Sequence, residues 1–239
     1  HAWTPLSRSA AAACVVFVRA RNSVAPAAGL QPPPRAAVAM AAAAPGGGDR
    51  SAELKELWAS AYEGWIAPQG AEDGEVVYLC PLEPSAAAPG APPSWAAAVS
   101  EVGKPFGGVF ALTAFNPMGE ERPFSDNVRK NAELEAEVRK LCERPGRTWW
   151  RAFGFAQDWH EKGFAVAAPQ EDVVALAKKY GQGAIYRFYR DPEDSSSALF
   201  KRETVPVLVR DTEADVRVWE CVRPPFENAD PFWEPLEKP

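Results

Sequence analysis

Hydrophobic positions recur along this chain with two periods, and the switches between them mark out its elements. Val109 to Phe115 is an apolar run that enters a polar turn at Thr113, Asn116 and Pro117, and it reads as a strand. It is buried either through Val109, Ala111 and Thr113 or through Phe110, Leu112 and Ala114, and the choice sends Thr113 to opposite faces. Beyond a turn with Pro117, Gly119 and Pro123, Ser125 is placed to cap a helix. Val128, Leu134, Val138 and Leu141 line one side of that helix, and Pro145 and Gly146 stop it. Thr148 to Phe155 alternates as a strand, and a turn over Gln157 to Lys162 leads into a second strand, Phe164 to Ala168. Val173, Leu176, Ala177 and Tyr180 then take helical spacing, with Gly181 where a C-terminal glycine belongs, before a last strand, Ala184 to Tyr189.

That order, β-α-β-β-α-β over residues 109–189, predicts a ferredoxin-like α+β core: an antiparallel four-stranded sheet with both helices on one face. Residues 49–108 read as an appendage. They hold a short helix through Leu54, Leu57, Trp58 and Tyr62 ending at Gly64, a strand at Val76 to Cys80, a Pro-rich linker from Pro81 to Pro93, and a helical turn from Trp95 to Val99. In residues 190–239, Val205 to Val209 and Val216 to Val222 predict a β-hairpin. The Pro-rich tail beyond it carries Phe226, Phe232 and Trp233 and is expected to lie over the core, because its aromatics need somewhere to pack.

Composition fits a soluble globular protein, with 46% of the 239 residues hydrophobic and 24% charged. No apolar run reaches the roughly 20 residues that span a bilayer. Charge divides the chain. Residues 1–48 carry Arg8, Arg19, Arg21 and Arg35 and no acid, which leaves 22 of the 26 basic residues against all 32 acidic ones in the remainder. A body with that acidic excess is a poor partner for nucleic acid or anionic membranes. The leader's Ala, Ser, Arg and Pro fit an organelle transit peptide, plastid or mitochondrial. Equally, Met40 opens a plausible start, so residues 1–39 read as untranslated flank and the protein as cytoplasmic. Either way residues 1–48 are expected to be disordered. Cys14, Cys80, Cys142 and Cys221 form no C-x-x-C pair and no metal spacing, and read as reduced packing residues.

Thr113-Ala114-Phe115-Asn116-Pro117 is followed by Ser125, Asn127, Asn131 and Leu134, by Glu161, Phe164 and Val166, and by Tyr180-Gly181-Gln182 before Ala184-Ile185. In these residues the chain resembles a mainly bacterial family, domain of unknown function thirty-two ninety-three, over about residues 109–187. The resemblance implies no activity.

The polar residues at element ends are the candidate ligand-binding set: Thr113, Asn116, Asn127, Asn131, Glu161 and Gln182. Singly, each is placed for a turn or a cap; together they outline one cleft at an end of the sheet. Enzyme chemistry finds thin support. His160, between Asp158 and Glu161, invites an acid/base reading but has the surroundings of a solvated turn histidine. There is no nucleophile elbow, metal spacing or phosphate-binding glycine loop, so no catalytic residue, cofactor or metal is assigned. Lys162-Gly163-Phe164-Ala165 echoes half of an RNA recognition motif signature. Val166 stands where a second stacking aromatic belongs, and the 12 basic and 11 acidic residues of 109–189 nearly cancel. The sequence therefore points to a non-enzymatic binding or regulatory module for a small molecule or a protein. RNA binding and a small enzyme using His160 and Glu161 are the alternatives, and oligomeric state is left open.

Overall fold

The computed structural model describes residues 50–82, 94–190, 199–210 and 214–234, so the leader, most of the Pro81 to Pro93 linker and the last five residues lie outside the described residues. The strands are β1 (Tyr62–Ile66), β2 (Val76–Pro81), β3 (Val109–Thr113), β4 (Thr148–Phe155), β5 (His160–Ala167), β6 (Ala184–Tyr189), β7 (Phe200–Pro206) and β8 (Asp215–Cys221). They pair in the order β1-β2-β8-β7-β6-β3-β5-β4, with β4 returning to β1, and close an antiparallel barrel.

The expected open ferredoxin-like sheet is therefore not what forms. Elements 109–189 contribute four neighbouring strands, β6-β3-β5-β4, but neither edge of that set is free. β1 pairs with β4 through Tyr62↔Phe155 to Trp65↔Ala152, and β7 pairs with β6 along Ala184↔Pro206 to Tyr189↔Lys201. The supposed appendage and hairpin are half of the barrel wall. The physical reason is that unpaired edge strands expose backbone donors and acceptors, and closure removes them. The predicted helix through Tyr62 also ends early: α1 (Arg50–Ser60) stops, and Tyr62–Ile66 is a strand.

Closure buries both faces of β3, which resolves its register. Val109 and Ala111 pack in the lumen with Trp65, Val77, Leu79, Trp150, Ala165, Phe188, Phe200 and Val218. Phe110, Leu112 and Ala114 pack outward beneath α3 (Phe124–Cys142) and α4 (Gln170–Lys179). On α3 the buried side carries Asn127, Leu134 and Val138, whereas Val128 is exposed. The lumen is filled partly by α2 (Ser94–Gly103), whose Trp95 stacks on Phe200 and meets Trp65 edge-on. An eight-stranded barrel is just wide enough for its side chains to fill it or to enclose one small ligand. Outside β1, β2 and β4, residues 222–234 cover Tyr78, Phe153 and Phe155, with Phe226 against Tyr62 and Trp233 against His160. Phe232 stays exposed.

Cys80 and Cys221 are joined by a disulfide across β2 and β8, so the reading of all four cysteines as reduced is corrected; Cys142 is free. Their positions are 141 residues apart in sequence and become neighbours only because β2 pairs with β8. No helix among the described residues is long and apolar enough to cross a membrane.

Among the described residues, one basic side chain is buried in this frame. Arg202 of β7, 1% exposed, donates to the carbonyls of Trp58 (2.9 Å), Ala59 (2.9 Å) and Ala61 (2.6 Å). Those carbonyls are the unsatisfied end of α1 and its exit into β1, a position that favours a cation. The guanidinium also lies 4.7 Å from the Tyr186 ring, whose hydroxyl donates to Trp58 O at 3.1 Å. Replacing Arg202 with Met strands buried carbonyl oxygens, and urea denaturation is expected to show a loss of about 3 kcal/mol. A loss within about 0.5 kcal/mol, the ordinary range of surface substitutions, would show that the capping is not structural.

Candidate functional site

The alternation of three neighbouring strands brings two carboxylates into one row. Glu63 on β1 pairs with Gly154 on β4, and Gly154 pairs with Glu161 on β5. All three face the lumen, since Trp65, Ala152 and Ala165 lie on the same faces of their strands. Two interstrand steps put the glutamate backbones about 10 Å apart. Gly154 between them carries no side chain, so the row has a notch in its middle. A Cβ there would stand 3.3 Å from Glu63 Oε1 and 3.4 Å from the Trp159 ring.

The notch opens into a cavity of about 110 Å³ covered by Leu54, Leu57 and Trp58 of α1. Its polar wall includes Glu63, Thr113, Asn116, Glu161, Gln182 and Tyr186. Glu63 is 3% exposed, and what acts on its carboxyl among the described residues is burial and the through-space charges of Arg202 and Glu161, with no hydrogen bond. Burial pushes its carboxyl up to about 8; Arg202 opposes the shift and Glu161 reinforces it. Glu161 is raised to about 7, again by burial, against the hydrogen bond that Asn116 Nδ2 donates to its Oε1 at 2.9 Å. The Tyr186 phenol is raised by burial, with Arg202 opposing. At neutral pH this part of the lumen therefore holds a protonated Glu63, a Glu161 near its midpoint and a neutral tyrosine.

Four of the six residues predicted as ligand-binding, Thr113, Asn116, Glu161 and Gln182, meet around this cavity. Thr113 Oγ1 donates to Lys162 O at 2.6 Å and accepts from Phe115 N at 3.0 Å, fixing the exit of β3. Gln182 Nε2 donates to Phe115 O at 2.9 Å. Asn116 has a positive φ of 43°, which asparagine tolerates, and this aims its amide at Glu161. The other two residues support the loop from behind. Asn127 exchanges bonds with Asn116, accepting from its backbone N at 3.0 Å and donating to its Oδ1 at 2.8 Å. Asn131 Oδ1 accepts from Ala114 N at 3.3 Å. Neither lines the cavity.

Glu63, Gly154, Trp159, Tyr186 and Arg202 were not found from the sequence. Glu63 and Trp65 alternate within Tyr62–Ile66, and that period-two signal was absorbed into the preceding helix. His160 is corrected as well. It is 6% exposed, stacks on Phe153 at 5.0 Å, and its Nδ1 lies 2.8 Å from Asn228 O. Burial lowers its pKa. Because neighbouring residues of a strand face opposite sides, His160 points out of the barrel and Glu161 into it, which rules out the proposed acid/base pair. Phe164 lies 2% exposed beneath α3 and α4, and the helix-free face of its strand is the closed lumen, so no base-stacking platform forms there.

A wider groove, about 820 Å³, runs along α3 and α4 past Arg122, Lys130, Lys140, Lys179 and Tyr180. Many of its charges are paired on the surface, including Arg129 with Asp126 and Glu133, and Lys179 with Glu137. Exposed pairs of this kind are screened and weak, so the cavity beneath α1, with buried carboxyls on its wall, is the better candidate despite its smaller volume. No group of three or more metal-ligating side chains exists among the described residues.

Fold and site together define a closed eight-stranded barrel with a largely apolar cavity that carries two carboxyls and a few amides on its wall. Within it, residues 112–185 match the family model described as "Protein of unknown function (DUF3293)", so the family read from the Thr-Ala-Phe-Asn-Pro and Tyr-Gly-Gln motifs is borne out for this segment. The match holds Thr113, Asn116, Gly154, Glu161 and Gln182, while Glu63, Tyr186 and Arg202 lie outside it. No curated protein and no solved structure matches the chain significantly.

The raised carboxyls make stability pH-dependent in a definite direction. Glu63 titrates at 4.5 when unfolded and at about 8 when folded, so across that window the folded state keeps a proton that the unfolded state has released. Stability falls as pH rises through the window and levels off above it. His160, lowered on folding, acts oppositely: its contribution is lost as pH falls below 6.5. Thermal melts of Glu63→Gln are expected to lose the decline between about pH 7 and 8 and part of that at lower pH, where Glu161 also contributes. A decline equal to that of the wild type would remove Glu63 as its source.

Proposed function

We propose that this protein is a non-enzymatic binding module that holds a small polar molecule inside its barrel, in the cavity beneath α1. The Glu63–Gly154–Glu161 row carries this reading: a buried carboxyl that no hydrogen bond among the described residues shifts faces, across a position without a side chain that Trp159 borders, the cavity shared with Glu161. Buried polar groups ordinarily have partners, and one that lacks them beside a cavity is placed to receive them from a ligand. Enclosed sites within barrels are also a recurrent location for small ligands.

Size narrows the guest. Drug-sized ligands occupy pockets of roughly 300–1,000 Å³, and a cavity of about 110 Å³ admits only a compact molecule or the head of a longer one. The two clasping loops supply a preorganised wall. Met118 N donates to Gly181 O at 3.0 Å, and Pro117 packs against Gly181, so the Asn116 and Gln182 loops hold each other. A rigid wall of this kind lowers the ordering cost of binding.

Gly154→Ala adds one methyl 3.3 Å from Glu63 Oε1 and 3.4 Å from the Trp159 ring, so both side chains must yield by a few tenths of an ångström. Fragments found by ligand-observed NMR to bind the full chain are expected to bind this variant about ten-fold more weakly or worse, the roughly 1.4 kcal/mol of a mild overpacking. An unchanged circular dichroism spectrum would confirm the fold. Fragments that bind both proteins equally would place the site elsewhere.

A further inference from the structure

Resting on that reading, we propose that the cavity takes a compact organic monocation, a primary ammonium group or its like, seated between Glu63 and Glu161 and admitted in exchange for a proton. The charge balance at the cavity points to this class. Its ionisable side chains are Glu63, Glu161 and Tyr186, with Arg202 beside them, brought by β1, β5, β6 and β7. Glu220 of β8 also faces the lumen, opposite Leu79, but it lies off the cavity and accepts from Trp95 Nε1 at 2.7 Å. The phenol of Tyr186 is neutral and spends its hydrogen on Trp58 O. α1 presents Leu54, Leu57 and Trp58 to the cavity, while its Lys55 and Glu56 are exposed. His160 and Lys162 lie on the outward face of β5, toward Trp233 and Glu234. With Glu63 and Glu161 ionised, two negative charges at the cavity thus face the one positive charge of Arg202, and one added monocation balances them.

Arg202 does not fill that role itself. Its hydrogen bonds run to the carbonyls of Trp58, Ala59 and Ala61, so it acts on Glu63 through space and leaves the carboxylate without a donor. A cation in the notch would supply the donors that both carboxylates accept. The third wall is aromatic: Cη2 and Cζ3 of Trp159 lie 3.4 Å from the empty Cβ position on Gly154. Carboxylates beside an indole suit an ammonium group. The buried Trp159 Nε1, which has no hydrogen-bond partner among the described residues, offers a donor to an acceptor atom elsewhere on the same molecule.

The exchange balances simply. Without the guest the carboxyl O–H keeps its proton, because an ionised carboxylate with no partner is costly in a closed lumen. When the ammonium enters carrying its own charge above about pH 7, where Glu161 is already ionised, the Glu63 O–H bond breaks, its proton leaves to solvent, and the carboxylate pairs with the cation; below that pH Glu161 gives up a proton as well. Binding therefore tightens as pH rises, by up to about ten-fold per pH unit for each proton released.

The test is an NMR titration of the full ¹⁵N-labelled chain with methylammonium chloride, followed at the amides of Glu63, Gly154 and Glu161 across the pH range between 4.5 and about 8. Acetamide serves as a neutral probe of similar size. Methylammonium is expected to bind with the stated pH dependence and acetamide more weakly, and Glu63→Gln is expected to remain folded, lose about ten-fold in methylammonium affinity and lose the pH dependence above about pH 7, keeping only the part that Glu161 supplies below it. If acetamide binds as tightly and methylammonium affinity is flat with pH, the monocation is wrong while a ligand cavity stands. If neither probe shifts these amides, the proposal fails, and the fragment comparison with Gly154→Ala decides the cavity separately. Wild-type behaviour in Glu63→Gln would also overturn it.

Discussion

The buried guanidinium of Arg202 is the interaction on which the polar part of this barrel depends. A helix end leaves carbonyl oxygens unpaired, and placing that end against a closed sheet removes the water that would otherwise serve them. Arg202 reaches from β7 to three of these carbonyls and thereby holds the end of α1 to the lumen. The chain leaves the last of them, Ala61, directly into β1, and Glu63 follows two residues later. The helix cover, the first strand and the first carboxylate are thus set by one buried cation. That same cation keeps Glu63 from being a wholly uncompensated acid, since its field opposes the effect of burial.

Closure is the second constraint, and it explains why so many strand residues are apolar on both sides. A stave such as β3 has a lumen face and a helix-covered face, and both are dry. Most polar side chains around the cavity are satisfied by backbone groups or by each other, as Thr113, Asn116 and Gln182 show. Glu63 departs from that pattern, as do the indole nitrogens of Trp65 and Trp159. Glu63 and Trp159 both stand against Gly154 at the edge of the cavity.

The sequence disclosed local periods well and long-range closure poorly. The strands and helices between Val109 and Tyr189 were legible because each carries several turns or alternations of an unambiguous pattern. Whether their sheet stays open depends on what pairs with β4 and β6, and β1 lies more than 80 residues before β4 in the chain. Tyr62–Ile66 is five residues with apolar positions that also fit the end of a helix, so Glu63 was lost with its strand. The Cys80–Cys221 bond left no local mark for the same reason: only the β2–β8 pairing brings the two together. Thr113, Asn116, Glu161 and Gln182 could be gathered beforehand because all sit where elements end on one side of the sheet. Asn127 and Asn131 sit on the same helix face, but their amides are spent on the backbone and amide of the Ala114–Asn116 segment.

The account turns on a carboxyl kept neutral inside a closed lumen, and the side-chain ¹³C signal of Glu63 reports this directly. Labelled on glutamate, assigned by its disappearance in Glu63→Gln, and followed with pH, that carboxyl should titrate near 8. A midpoint near the ordinary 4.5 would mean that Glu63 is solvated. The closed cavity beneath α1, and the site built on it, would then be wrong.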